Sequence, residues 1–140
     1  TGRFELISLH SFFLMKRLKV LGGEGEELSQ ALFDHMFADI DINLREMGVG
    51  DIGVGKKIKS LVAAYYGRIR SYETALEEGE VAIKEALVRN LYCDGKPTEQ
   101  QLSEMVLYLL ALFKVTNSLD FRQISNIDFI FPIPLDDWER

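Results

Sequence analysis

"MGVGDIGVGKKIK", residues Met47 to Lys59, places four glycines and three lysines in thirteen residues of an otherwise helical-looking chain. Its reading decides the fold. Gly50, Gly55 and Lys56 match the first fixed positions of a phosphate-binding P-loop, and Gly48, Gly50 and Gly53 match the dinucleotide fingerprint. Both motifs work only where a strand delivers the glycines to a helix N-terminus, so that free backbone N–H groups meet phosphate. Here the preceding segment is an amphipathic run ending "DINLREM", Lys57 stands where a P-loop needs Ser or Thr, and no apolar strand ending in Asp follows. The stretch therefore reads as a helix-loop-helix joint in which Gly48 caps one helix and the next glycines permit a tight reversal. Asp51 is placed to cap the following helix. A nucleotide-binding enzyme working through the Gly50–Lys56 loop is the lesser alternative. The joint reading does not explain why four glycines are used, nor why they lead into Lys56, Lys57 and Lys59. Glycines this dense also let another backbone approach, which makes the loop a candidate contact site.

Working outward, the flanking periodicities are helical. Upstream, Phe33, Met36, Phe37, Ile40, Leu44 and Met47 form one stripe of a helix over about Glu26 to Met47. Downstream, Ile58, Leu61, Val62, Tyr65, Ile69, Tyr72 and Leu76 predict a long helix from about Val54 to Glu77. The first helix, Phe4 to Leu21, is apolar on nearly every side and stops at "GGEGEE", where Gly22 and Gly23 suit a C-terminal cap. A fourth helix is expected from Glu80 to Leu91, before the turn at "CDGKP". Thr98 and Gln101 make a capping box that opens a fifth, to about Leu119, whose apolar circumference suggests a central position. The tail from Asn126 to Arg140, with Pro132 and Pro134, reads as extended. The expected fold is all-α: one domain over residues 1–140, a helical bundle of about five helices with an extended C-terminal tail.

Composition limits function. A chain of 140 residues, 47% hydrophobic, suffices for one core, and a net charge of -6 opposes general affinity for nucleic acid. The single cysteine, Cys93, cannot form an internal disulfide; it reads as a small buried hydrophobe and suits a reducing compartment. The longest apolar run, "MVLYLLALF", is too short to span a membrane. Because the chain begins at Thr1 and enters a helix at once, an upstream part of the natural protein is expected. His10 and His35 fall on different helices without a ligand pattern, and no nucleophile has a plausible base, so neither metal, cofactor nor catalysis is expected.

The third helix carries a second stripe, Ser60, Ala64, Gly67, Ser71 and Ala75, well away from its apolar face. An interior glycine costs about 1 kcal/mol relative to alanine, so Gly67 calls for a compensating close approach, inside the chain or from a partner. Lys56, Lys59 and Arg70 border this stripe on one side and Lys57 and Arg68 on the other, which suits an acidic or amphipathic partner. Acids on the preceding helix, such as Asp34 and Asp41, are internal competitors for these cations.

"GRFELISLH" (Gly2 to His10), "DINLREMGVGDIGVGKKIK" (Asp41 to Lys59), "YYGR" (Tyr65 to Arg68) and "YETAL" (Tyr72 to Leu76) together resemble the ubiquinol-cytochrome c chaperone family, and its bacterial branch in particular. The likeness is looser beyond Leu91, and Tyr65 stands where Phe is more usual. The resemblance implies a non-catalytic assembly factor for respiratory complex III that binds newly made cytochrome b or its assembly intermediate. It also implies a small partner assembly factor, proximity to the ribosome, and a cytoplasmic home peripheral to the inner membrane; the mitochondrial matrix side is the alternative. A structural or adaptor subunit is the rival class. The residues that carry the likeness, Arg45, Gly48, Gly50, Asp51, Lys56, Lys59, Tyr66, Gly67 and Arg68, coincide with the loop and helix face singled out above. With Lys57 and Arg70 they form the candidate partner-binding set.

Overall fold

The first helix, α1 (Gly2–Leu21), is apolar nearly all round because it is enclosed on several sides. The computed structural model describes residues 2–92, 95–126 and 129, and Cys93 and most of the tail that reads as extended lie outside them. α1 is followed by α2 (Glu24–Glu46), α3 (Asp51–Glu78), α4 (Glu80–Asn90), α5 (Glu99–Asn117) and a short α6 (Phe121–Ser125). The described residues form an all-α bundle. α1 feeds three clusters: Leu9, Phe12 and Phe13 pack against α3, α4 and α5; Leu14 and Leu18 meet Leu119 and Ile124; and Met15 meets Phe37 and Tyr65.

That arrangement corrects the expected centre of the bundle. α5 was expected at the centre, yet it packs mainly against α1 and α4, while α1 packs against α2, α3 and α5. α5 lies alongside α1 in the same direction. His10 meets Tyr108, Phe13 meets Phe113, and Arg17 Nε donates to the Leu119 carbonyl at 2.8 Å. His10 sits between the Leu6 carbonyl, 2.7 Å from Nδ1, and the Tyr108 hydroxyl, 2.6 Å from Nε2. Nδ1 donates to the carbonyl, and Nε2 and the hydroxyl satisfy each other, a structural role.

The ends follow local chemistry. Gly22 and Gly23 take φ of +69° and +48° to reverse the chain after α1. A Cβ on Gly25 would collide with the Leu18 carbonyl, so this glycine lets α2 lie close against α1. The Thr98–Gln101 capping box opens α5 as expected. A second box, Asp120 with Gln123, opens α6, which the periodicity did not reveal. Five residues are too few to show a helical period.

Candidate partner-binding face

α2 ends where the glycines begin. Gly48 takes φ of +88°, its N–H bonds the Arg45 carbonyl at 3.0 Å, and the Val49 N–H bonds the Leu44 carbonyl at 3.1 Å. That is a glycine-capped helix end, as expected. α3 then starts at Asp51, three residues before the expected Val54, with Gly50 as its N-cap in an extended conformation. Asp51 does not cap. Its carboxylate instead accepts from the Arg45 guanidinium, which also donates to Asp41 at 2.8 Å. These bonds, Asp41's first, push the Arg45 pKa up. One arginine in the last turn of α2 thus ties the helix to the first residue of α3.

The early start leaves Gly53 and Gly55 inside α3. The Val54 N–H already bonds the Gly50 carbonyl at 2.9 Å, so from Val54 onward the helical ladder takes up N–H groups that a P-loop would turn toward phosphate. Only Gly48 of the four requires a positive φ. A Cβ on Gly50 or Gly55 would meet nothing within 4 Å, and on Gly53 only a Val49 methyl at 3.0 Å. Neither backbone conformation nor internal packing accounts for Gly55.

Lys56, Lys57 and Lys59 are exposed, and no carboxylate among the described residues lies within ion-pair distance of them. The internal competitors are engaged elsewhere: Asp41 holds Arg45, and Asp34 accepts from Gln30 at 2.9 Å. The small stripe divides. Ala75 is buried, and Ser71 accepts from Arg89 and Asn90 of α4, so internal packing explains its C-terminal end. Ser60 and Gly67 are exposed, and a Cβ on Gly67 would meet nothing within 4 Å.

The expected set does not form one site. Along α3, Lys56 and Arg70 are about 21 Å apart at 1.5 Å per residue. The glycines and the three lysines occupy the N-terminal end. Tyr66, half-exposed, stands at a groove between α1, α2 and α3 with Phe12, Phe33 and Ile69, where Lys16 and Lys19 form part of the wall. Gly67, Arg68 and Arg70 line a separate cleft against α4. Arg68 has a structural partner: it donates from Nε and Nη2 to the buried Glu5 carboxylate, with contacts of 2.6–3.1 Å. Two charges taken partly out of water require such a fork. Next to this pair the Tyr72 hydroxyl is buried without a well-formed hydrogen bond. Burial first, and the Glu5 charge second, push its pKa up to about 12. Arg89 and Asn90 escaped the sequence reading because nothing in the period of α4 shows that they face α3.

Comparison with known proteins bears on the family and the fold. The family model described as ubiquinol-cytochrome C chaperone matches residues 1–131, so the likeness extends well past Leu91. A Xenopus laevis protein, ubiquinol-cytochrome-c reductase complex assembly factor 1, is 21% identical over 117 residues, covering 84% of this chain and 58% of its own. The chain thus spans less than two thirds of that relative. The crystal structure of the Cbp3 homolog from Brucella abortus superposes with a TM-score of 0.78 at 30% identity, over 96% of this chain and 75% of that one. The family match over nearly the whole chain and this shared fold place the molecule: it belongs to the ubiquinol-cytochrome c chaperone family.

Proposed function

We propose that this chain is a non-catalytic assembly chaperone of respiratory complex III that holds newly made cytochrome b, or an early intermediate containing it. The contact surface is the α2–α3 loop and the N-terminal half of α3: Gly48, Gly50, Lys56, Lys57 and Lys59, positioned by Arg45 and Asp51. It continues along α3 to Tyr66, at the groove that α3 forms with α1 and α2. One observation carries the assignment of the surface. Gly55 and the three lysines, exposed and unpaired among the described residues, serve nothing that the fold requires. Family membership supports the class of activity.

The chemistry suits such a client. An apolar helix can approach closely where side chains are small, and cations beside the path can meet carboxylates or helix C-terminal carbonyls at the edge of a membrane segment. No described helix is long and apolar enough to cross a membrane. The reading takes any contact of these residues with the inner membrane as peripheral. A small partner assembly factor and the ribosome fit the same reading.

Affinity capture of the tagged full-length protein, from normal cells and from cells unable to make cytochrome b, tests it. Recovery of cytochrome b without the full subunit set of complex III is expected. Recovery only with the mature complex would make the protein a structural subunit, and failure to recover cytochrome b would overturn the proposal.

A further inference from the structure

The cleft between α3 and α4 is lined by two arginines, Arg70 and Arg89, that keep N–H groups to spare. It encloses about 520 Å³, and Arg68, Arg70, Ser71, Arg89 and Asn90 lie at one end. Arg70 and Arg89 have no carboxylate within ion-pair distance among the described residues. Arg89 Nη2 and Asn90 Nδ2 both donate to Ser71 Oγ, at 2.9 and 3.2 Å. That oxygen is filled as an acceptor, so its own O–H remains to be donated. Arg89 keeps further N–H groups, and Arg70 makes no described side-chain bond.

We propose that this end of the cleft binds a phosphate group, clamped by Arg70 and Arg89 with the Ser71 hydroxyl between them. Guanidinium forks match phosphate oxygens in pairs, and two forks plus a hydroxyl offer more donors than the two oxygens of one carboxylate accept. Gly67 lines the same cleft, and its missing side chain leaves the approach open. The site thus gives that exposed helical glycine a reason that packing does not. Glu78 also lines the cleft and Glu85 stands one helical turn before Arg89 on α4, and the whole chain carries a charge of -6. Both oppose an extended polyanion and favour a single compact phosphate, free in solution or on a lipid headgroup. The inference stands independently of the cytochrome b surface, whose lysines are about 16–21 Å from Arg70 along α3.

The test is an NMR titration of the full chain with inorganic phosphate and with glycerol 3-phosphate, beside an Arg70→Gln/Arg89→Gln variant. Saturable shifts are expected for the amides of residues 67–74 and 89–90, with affinity at least tenfold weaker in the variant. Flotation on phosphatidylcholine vesicles with and without phosphatidylglycerol separates the sources. Flotation that needs phosphatidylglycerol and both arginines assigns a lipid headgroup; shifts without flotation assign a free phosphate compound. The proposal is overturned by the absence of saturable shifts or flotation, by equal binding in a folded variant, or by a short glutamate peptide binding the cleft more tightly than either phosphate.

Discussion

The two halves of α3 belong to one continuous helix yet answer to different demands. In the C-terminal half, Tyr65, Tyr72 and Ala75 are buried, Arg68 holds Glu5, and Ser71 accepts from α4; most side chains there have a partner that explains them. In the N-terminal half only Val54 is buried, and the sequence uses glycines and lysines that touch little else in the described chain. A fold selected for stability alone would not place helix-weakening glycines beside unpaired cations. The difference separates the residues that the fold explains from those that it does not, and the proposed function assigns the latter to a partner.

The sharpest way to break that contrast is at Arg68. Arg68→Ala strands the Glu5 carboxylate in the interior and is expected to cost about 3–5 kcal/mol, whereas Arg70→Ala, two positions on, should stay within about 0.5 kcal/mol. Urea titration of both variants measures it, and equal effects would remove the division between a structural and an open cation. Charge reversal at Arg68 is therefore no test of client binding.

Base should also act on the buried half. The Tyr72 pKa rises from 10.0 unfolded to about 12 folded, so the fold keeps its full stability below pH 10 and loses it as pH climbs toward 12. The loss from this group is roughly 2–3 kcal/mol. Burial moves Tyr65 the same way. Stability measured against pH in Tyr72→Phe should show a shallower alkaline decline; an unchanged decline would mean that Tyr72 is not the group responsible.

The glycines separate by conformation. Gly48→Ala must carry a side chain at φ of +88° and should lower stability by about 1–2 kcal/mol. Gly55→Ala and Gly67→Ala, in open helical positions, should raise stability by about 0.5–1 kcal/mol each. Thermal melts decide the sign. Losses at Gly55 and Gly67 would show that the fold needs them after all, and the case for a partner at those positions would fall.

Much of this was legible in the sequence because it is local. Periodicity located five helices, Gly22, Gly23 and Gly48 marked their ends, and the Thr98–Gln101 box marked the start of α5. What could not be read depends on pairing across the chain. Arg68 and Glu5 are 63 positions apart, and nothing in "YYGR" says that its arginine turns inward. Gly25 looked like one more residue of a glycine-rich turn until the Leu18 carbonyl proved to lie against it. The same limit misplaced the centre: α1 and α5 are both apolar nearly all round, and only packing shows that α1 meets α2, α3 and α5 while α5 meets mainly α1 and α4. It also drew eleven candidate residues together on one helix face and its loop, where the fold spreads them over a loop, a groove and a cleft.

The most direct test is the capture of cytochrome b by a Lys56→Glu/Lys57→Glu/Lys59→Glu variant. It should be compared with a charge-matched control, Lys96→Glu/Lys114→Glu/Arg122→Glu, altered at exposed cations elsewhere. Both should melt like the parent, since none of these side chains is buried. The account predicts that the first recovers at least tenfold less cytochrome b and the control about as much as the parent. Undiminished recovery by the first variant, or equal loss in both, would contradict it.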